Sequence, residues 1–165
     1  IMKIFNHILQ KVTLNDVRCG VLKIPRSIKE VHYHAIVGLW NLRKIVVPKG
    51  VVKLDAMAIM SCRNLTNIEF EDGCSLESIG PKCFVECDAL ENVTIPTTVK
   101  YIGQYAFYNC SCLENVTLPD RSVVDEKLFA LCPKIRHHPE WDDLYDESID
   151  RIFERSIDSL FKKNK

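Results

Sequence analysis

Apolar positions along this chain return at a long, steady interval. Leu42, Leu65, Leu90, Leu113 and Ile135 are spaced by 23, 25, 23 and 22 residues. Other columns keep fixed offsets from them. Three residues earlier stand Leu39, Cys62, Cys87, Cys110 and Cys132; six earlier stand Ile36, Ile59, Phe84, Phe107 and Phe129. Seven earlier stand Ala35, Ala58, Cys83, Ala106 and Leu128, and eleven earlier Val31, Leu54, Ile79, Ile102 and Val124. Three residues after the leucine come Ile45, Ile68, Val93 and Val116, and the fifth unit has His138 instead. Five after it come Val47, Phe70, Ile95 and Leu118, followed by Pro48, Glu71, Pro96 and Pro119. A partial unit precedes these with Leu22, Ile24 and Pro25. Self-similarity at such a period predicts stacked coils in which each column becomes a layer of one continuous core.

The run Leu113-Glu-Asn-Val-Thr-Leu-Pro119 sets the local geometry. Val116 and Leu118 lie two apart, so in a strand they share a face, with Thr117 on the other. Pro119 has no amide hydrogen to give a ladder and ends the strand. One short strand per coil is therefore expected, parallel to its neighbours.

Both ends of a coil stack expose core and need covering. Ile1, Ile4, Phe5, Ile8, Leu9 and Val12 fit a helical stripe, and a strand remains open for so short a segment. At the other end Trp141, Tyr145, Ile149, Phe153, Ile157 and Leu160 make one apolar helical face, widened by Ile152 and Phe161. Pro139 suits the start of that helix, and Lys162, Lys163 and Lys165 suit its finish. This helix, over about 141–162, is expected to cap the last coil; docking against a partner or a second copy is the competing reading.

The runs Ile95-Pro-Thr-Thr-Val-Lys-Tyr-Ile-Gly-Gln-Tyr-Ala-Phe-Tyr-Asn-Cys110 and Leu113–Pro119 resemble the BspA-like leucine-rich repeat family. Ile68-Glu-Phe-Glu-Asp-Gly-Cys-Ser-Leu-Glu-Ser-Ile79 is similar to that family's two-residue-longer unit, with Asp72-Gly73 as its turn. The likeness extends over about residues 22–138, and the first unit departs from it at Leu39 and His32. It implies a right-handed solenoid used for protein binding, often in surface proteins of bacteria and protozoa, with no catalytic residues to carry over. The fold expected is thus α/β: a leucine-rich-repeat solenoid with short parallel strands and terminal capping helices. Residues 1–140 would form the solenoid with its N-terminal cap, about five repeats over 22–138, and residues 141–165 a helix of the same domain.

Charge changes the picture only by its distribution. The net charge of zero hides a gradient: residues 1–60 hold ten Lys/Arg against three Asp/Glu, and residues 61–140 seven against twelve. Sequence order is spatial order in a solenoid, so one end is basic. No aromatic platform accompanies these cations, so nucleic acid is not the expected partner. No apolar run is long enough to span a membrane, and polar Asn6, His7, Gln10 and Lys11 speak against a signal peptide.

Eight cysteines offer chemistry. Four of them share one column and are expected to stack as free, buried thiols. Disulfides are the alternative, and zinc lacks the paired spacing it needs. His32, His34, His137 and His138 are expected as surface or cap residues. Four glycosylation-type triplets, at Asn64, Asn92, Asn109 and Asn115, follow from the repeat itself. No phosphate loop, nucleophile elbow or metalloprotease motif occurs, so neither an enzyme nor a cofactor is expected. The function expected is a protein-binding scaffold acting in the cytoplasm, as a monomer or as a dimer through the C-terminal helix. A fragment of a cell-surface adhesin is the alternative. The binding surface expected is the outward strand stripe: Lys23, Val46, Glu69, Thr94 and Thr117, flanked by Arg43, Lys44, Thr66, Asn67, Glu91, Asn92, Glu114 and Asn115.

Overall fold

The computed structural model describes residues 1–120, 122–124 and 127–135. Its described residues form a β-solenoid of short parallel strands. The strands, all parallel to their neighbours except the first, are β1 (Lys3–Phe5), β2 (Ile8–Lys11), β3 (Val21–Lys23), β4 (Glu30–Val31), β5 (Ile36–Val37), β6 (Lys44–Val47) and β7 (Lys53–Leu54). They continue as β8 (Ile59–Met60), β9 (Asn67–Phe70), β10 (Ser78–Ile79), β11 (Asn92–Thr94), β12 (Tyr101–Ile102), β13 (Asn115–Thr117) and β14 (Val123–Val124).

Each complete coil contributes at least two strands, on different faces, and not the one expected. On the first face Leu9, Val31, Leu54, Ile79, Ile102 and Val124 stand in register along β2-β4-β7-β10-β12-β14. Five of these residues are the column found in the sequence. Two-residue strands are too short to show an alternation, which is why the column did not read as strand. On the second face Leu22, Ile45 and Ile68 pair across β3-β6-β9, and Val93 pairs Val116 across β11-β13. A third face begins as β5-β8 and continues through backbone bonds such as Phe84 N–H to the Ala106 carbonyl at 2.8 Å. In the later coils Phe84, Phe107 and Phe129 stack inside the tube, with ring centroids 5.1 and 5.8 Å apart.

The corners of the coils explain the small residues. His34, Met57, Lys82, Tyr105 and Lys127 precede the Ala/Cys/Leu column, and all have left-handed φ between 49° and 61°. Gly38, Ser61, Glu86, Asn109 and Leu131 hold the next corner, with φ between 54° and 63°. Non-glycine residues resist this conformation by about 1–2 kcal/mol each. Inter-coil bonds hold them there: Ser61 donates to Val85 at 2.8 Å and Glu86 to Tyr108 at 2.9 Å.

The N-terminus corrects the helical expectation. Residues 3–11 form an antiparallel hairpin, with Ile4 opposite Leu9 and Phe5 opposite Ile8. Asn6 and His7 make its two-residue turn with φ 47° and 61°, the left-handed pair that matches strand twist. Leu9 is fully buried and founds one more coil than the five expected. The helix expected over 141–162, and its division from the solenoid at 140, lie outside the described residues.

Candidate functional site

The outer face of β3, β6, β9, β11 and β13 carries the predicted stripe. Alternation places Leu22, Ile45, Ile68, Val93 and Val116 inward and leaves the residues between them outward. Lys23, Val46 and Glu69 form one cross-strand column, and Thr94 and Thr117 continue it. Lys44 pairs in register with Asn67, and Asn92 with Asn115. Arg43, Thr66, Glu91 and Glu114 lie just before the strands, all exposed. The amides of Thr66 and Asn67 donate to the Arg43 carbonyl, and those of Glu114 and Asn115 to Glu91. Every stripe residue reaches the surface, although Lys44 and Val46 are half-buried.

Neighbouring coils bind one another through this stripe. Lys44 pairs with Glu69, Glu114 with Lys134, and the Asn115 side-chain amide donates to Asn92 Oδ1 at 2.8 Å. Hydrogen bonding to Glu114 raises the Lys134 pKa. Lys23, Arg43 and Glu91 make no ion pair among the described residues. The Arg43 stem packs over Gly20, where a methyl group would meet its Cδ at 3.3 Å.

The stripe is broken at its middle. β9 and β11 belong to separate sheets. Among the described residues, no backbone hydrogen bond joins 66–70 to 91–95. The cause is the longer unit, whose extra residues turn outward at Asp72-Gly73, with Gly73 at φ 72°. A recess of about 350 Å³ opens there, lined by Ile68, Phe70, Asp72, Thr94, Pro96 and Thr98, among others. Its non-stripe residues were missed in the sequence. The available signal was the 25-residue spacing from Leu65 to Leu90.

Elsewhere Glu30, His32 and Asp55 gather their side-chain ligand atoms within 4.8 Å on the face of β4 and β7. Lys53 already sits among them, 3.1 Å from Glu30 and 3.4 Å from Asp55, so an ammonium balances the carboxylates. Burial works against the Asp55 carboxylate, but the Ala56 amide and Lys53 outweigh it and lower its pKa.

The cysteine column is a buried ladder of free thiols. Cys62, Cys87, Cys110 and Cys132 are fully buried. Each donates to a carbonyl of the coil before: Cys62 to Ile36 at 3.8 Å, Cys87 to Ile59 at 3.9 Å, Cys110 to Phe84 at 3.1 Å and Cys132 to Phe107 at 2.9 Å. Burial pushes the Cys62 thiol up to about 11 and raises Cys83, Cys87 and Cys110 as well. These thiols fill core; they are not poised as nucleophiles.

Among the described residues, no helix is long and apolar enough to cross a membrane. No curated protein matches this chain. Among solved structures, the pneumococcal vaccine antigen PcpA is similar at 20% identity and TM-score 0.62, over 79% of this chain and 39% of that one. A leucine-rich repeat protein from Bacteroides ovatus is similar at 28% identity and TM-score 0.50, over 79% of this chain and 41% of that one. The leucine-rich repeat protein of T. pallidum is similar at 19% identity and TM-score 0.51, over 90% of this chain and 86% of that one. The chain spans about two fifths of the length of the first two. The model of the BspA type leucine rich repeat region matches residues 8–136 in 6 copies, and the chain belongs to that family.

Proposed function

We propose that this protein is a non-enzymatic scaffold that binds another protein through the strand face of β3, β6, β9, β11 and β13. One observation carries the reading. The outward residues of this face vary in charge from Lys23, Arg43 and Lys44 to Glu91 and Glu114, while the inward residues stay apolar. Core packing does not dictate that outward sequence, and such a face suits a partner with complementary charge. The repeat-region family gives no catalytic assignment to set against it.

The test is a charge swap. Lys44 and Glu69 pair with each other, so the double variant K44E/E69K keeps their ion pair while reversing the stripe locally. Affinity purification with the wild-type chain identifies a partner, and calorimetry with the swapped chain reads the loss. The swap should weaken binding about tenfold or more with an unchanged unfolding midpoint. Unchanged affinity would place the interface elsewhere.

The comparisons give the expected cytoplasmic location no support, and display at a cell surface becomes the second reading. One observation favours it. Free thiols argue against an oxidising compartment only where oxidants reach them; the four stacked thiols are fully buried, which leaves exposed Cys19 and half-buried Cys112 as the thiols that still argue that way. Asn64, Asn92 and Asn115 are exposed, as are Thr66, Thr94 and Thr117 of their triplets. Mass spectrometry of protein from its own cells decides it: glycan on these asparagines means export, and bare asparagines on protein from a cytosolic fraction exclude it.

A further inference from the structure

We propose that the recess between β9 and β11 is the anchor pocket of the strand face and that it receives an arginine side chain of the partner. This rests on the strand face being the interface and adds where and by what chemistry a partner is held. Flat sheet faces bind weakly unless one side chain is buried in a pocket, because binding energy concentrates in a few desolvated anchors. Among the described residues, this recess is the one break in the pairing of that face.

Its walls select the occupant. Ile68 and Pro96 offer apolar surface for a methylene stem, and the half-buried Phe70 lines the recess with an aromatic ring, a group on which planar cations stack. The polar side chains at the rim can all accept a hydrogen bond: the Asp72 and Glu71 carboxylates and the hydroxyls of Thr94, Thr97 and Thr98. Asp72 is exposed and makes no ion pair among the described residues. The Lys49 amide and the Arg26 guanidinium hold Glu71 ionised, lowering its pKa. The Thr98 hydroxyl spends its hydrogen on the Leu76 carbonyl at 2.7 Å, which leaves its oxygen free to accept. The carbonyls at the β9 edge have no ladder partner in β11. A side chain with donors only, planar and positively charged, satisfies this set, and arginine has five such donors in one fork. Arg26 pairs with Glu71 at 3.2 Å and is not among the residues that line the recess. It does not fill the recess.

The experiment is an NMR titration of the isotope-labelled whole chain with three probes: N-acetyl-arginine methylamide, its lysine analogue and its neutral norleucine analogue. The arginine probe should give saturable shifts confined to amides of residues 68–74 and 94–98. The lysine probe should bind more weakly and norleucine should give no saturable shift. Asp72→Asn, an isosteric change at an exposed turn, should weaken the arginine probe about tenfold. Scattered or non-saturating shifts overturn the pocket, as does norleucine binding as well as arginine or an unaffected Asp72→Asn. The two readings fail separately. Arginine capture with a partner indifferent to K44E/E69K and Asp72→Asn sinks the strand-face interface alone. A partner sensitive to K44E/E69K, with no arginine capture, sinks the pocket alone.

Discussion

Gly103→Ala tests how closely the coils approach one another. Gly103 follows the buried rung Ile102, and its φ is not left-handed, so its need for glycine is steric. A methyl group at this position would lie 2.5 Å from Pro81 N, 2.7 Å from Pro81 Cδ and 2.9 Å from the Gly80 carbonyl carbon. These belong to backbone and a proline ring, which cannot swing aside. Ordinary contact starts near 3.4 Å, so the coils must part by about 1 Å. Two inter-coil bonds flank the spot: Gly103 N–H to Ile79 at 2.9 Å and Lys82 N–H to Gln104 at 3.0 Å. Stretched by that much, each ceases to be a hydrogen bond, at about 0.5–1.5 kcal/mol apiece. Forcing a methyl group into packed surroundings adds about 1–3 kcal/mol. The expected loss is about 3 kcal/mol. Gly73→Ala is the control. It has left-handed φ and nothing within 4 Å of the added carbon, so it should cost only backbone strain, about 1–2 kcal/mol. Urea unfolding of both variants, with slopes checked for equality, gives the comparison. If Gly103→Ala costs no more than Gly73→Ala, the close approach of the fourth and fifth coils is wrong.

Phe107 stacks between Phe84 and Phe129 and is fully buried, so Phe107→Ala should cost about 3–5 kcal/mol, read from the denaturant midpoint. Cys62, Cys83, Cys87, Cys110 and Cys132 should resist a thiol reagent in the folded protein while exposed Cys19 labels quickly; rapid native labelling of all eight would sink the ladder. The raised thiol pKa values also set a direction with pH. A proton held more tightly when folded stabilises fully below the ordinary value of 9.0, and that stability drains away as pH rises from there through about 11 for Cys62. Urea midpoints at pH 7 to 10.5 should therefore fall at the alkaline end, and Cys62→Ala should flatten the slope.

The periodic columns were legible because stacking makes each column a physical layer. The residues aligned by spacing from Val31 to Val124 are those the structure puts in register, and the outward stripe followed from the alternation around Val93 and Val116. The first coil was not legible. Its hairpin turn at Asn6-His7 brings Phe5 opposite Ile8 and Ile4 opposite Leu9, and that spacing imitates a helical stripe over so few residues. The left-handed corners were hidden too, since Met57 and Glu86 advertise no such preference; inter-coil bonds to Pro81 and Tyr108 hold them there. For the site, the surface position of all thirteen stripe residues was readable. The Lys44–Glu69 pairing and the recess were not, because both depend on what lies one coil away.

Two of the tube's three faces also differ mechanically. The ladder through β2, β4, β7, β10, β12 and β14 runs unbroken, whereas the ladder of the strand stripe stops at β9 and restarts at β11. A pull or bend along the axis will meet stiff resistance on the continuous side and little on the other. The molecule should flex at the 25-residue unit, as a spine does at a missing disc. In gradual unfolding, the coils on either side of that joint should come apart as two cooperative blocks.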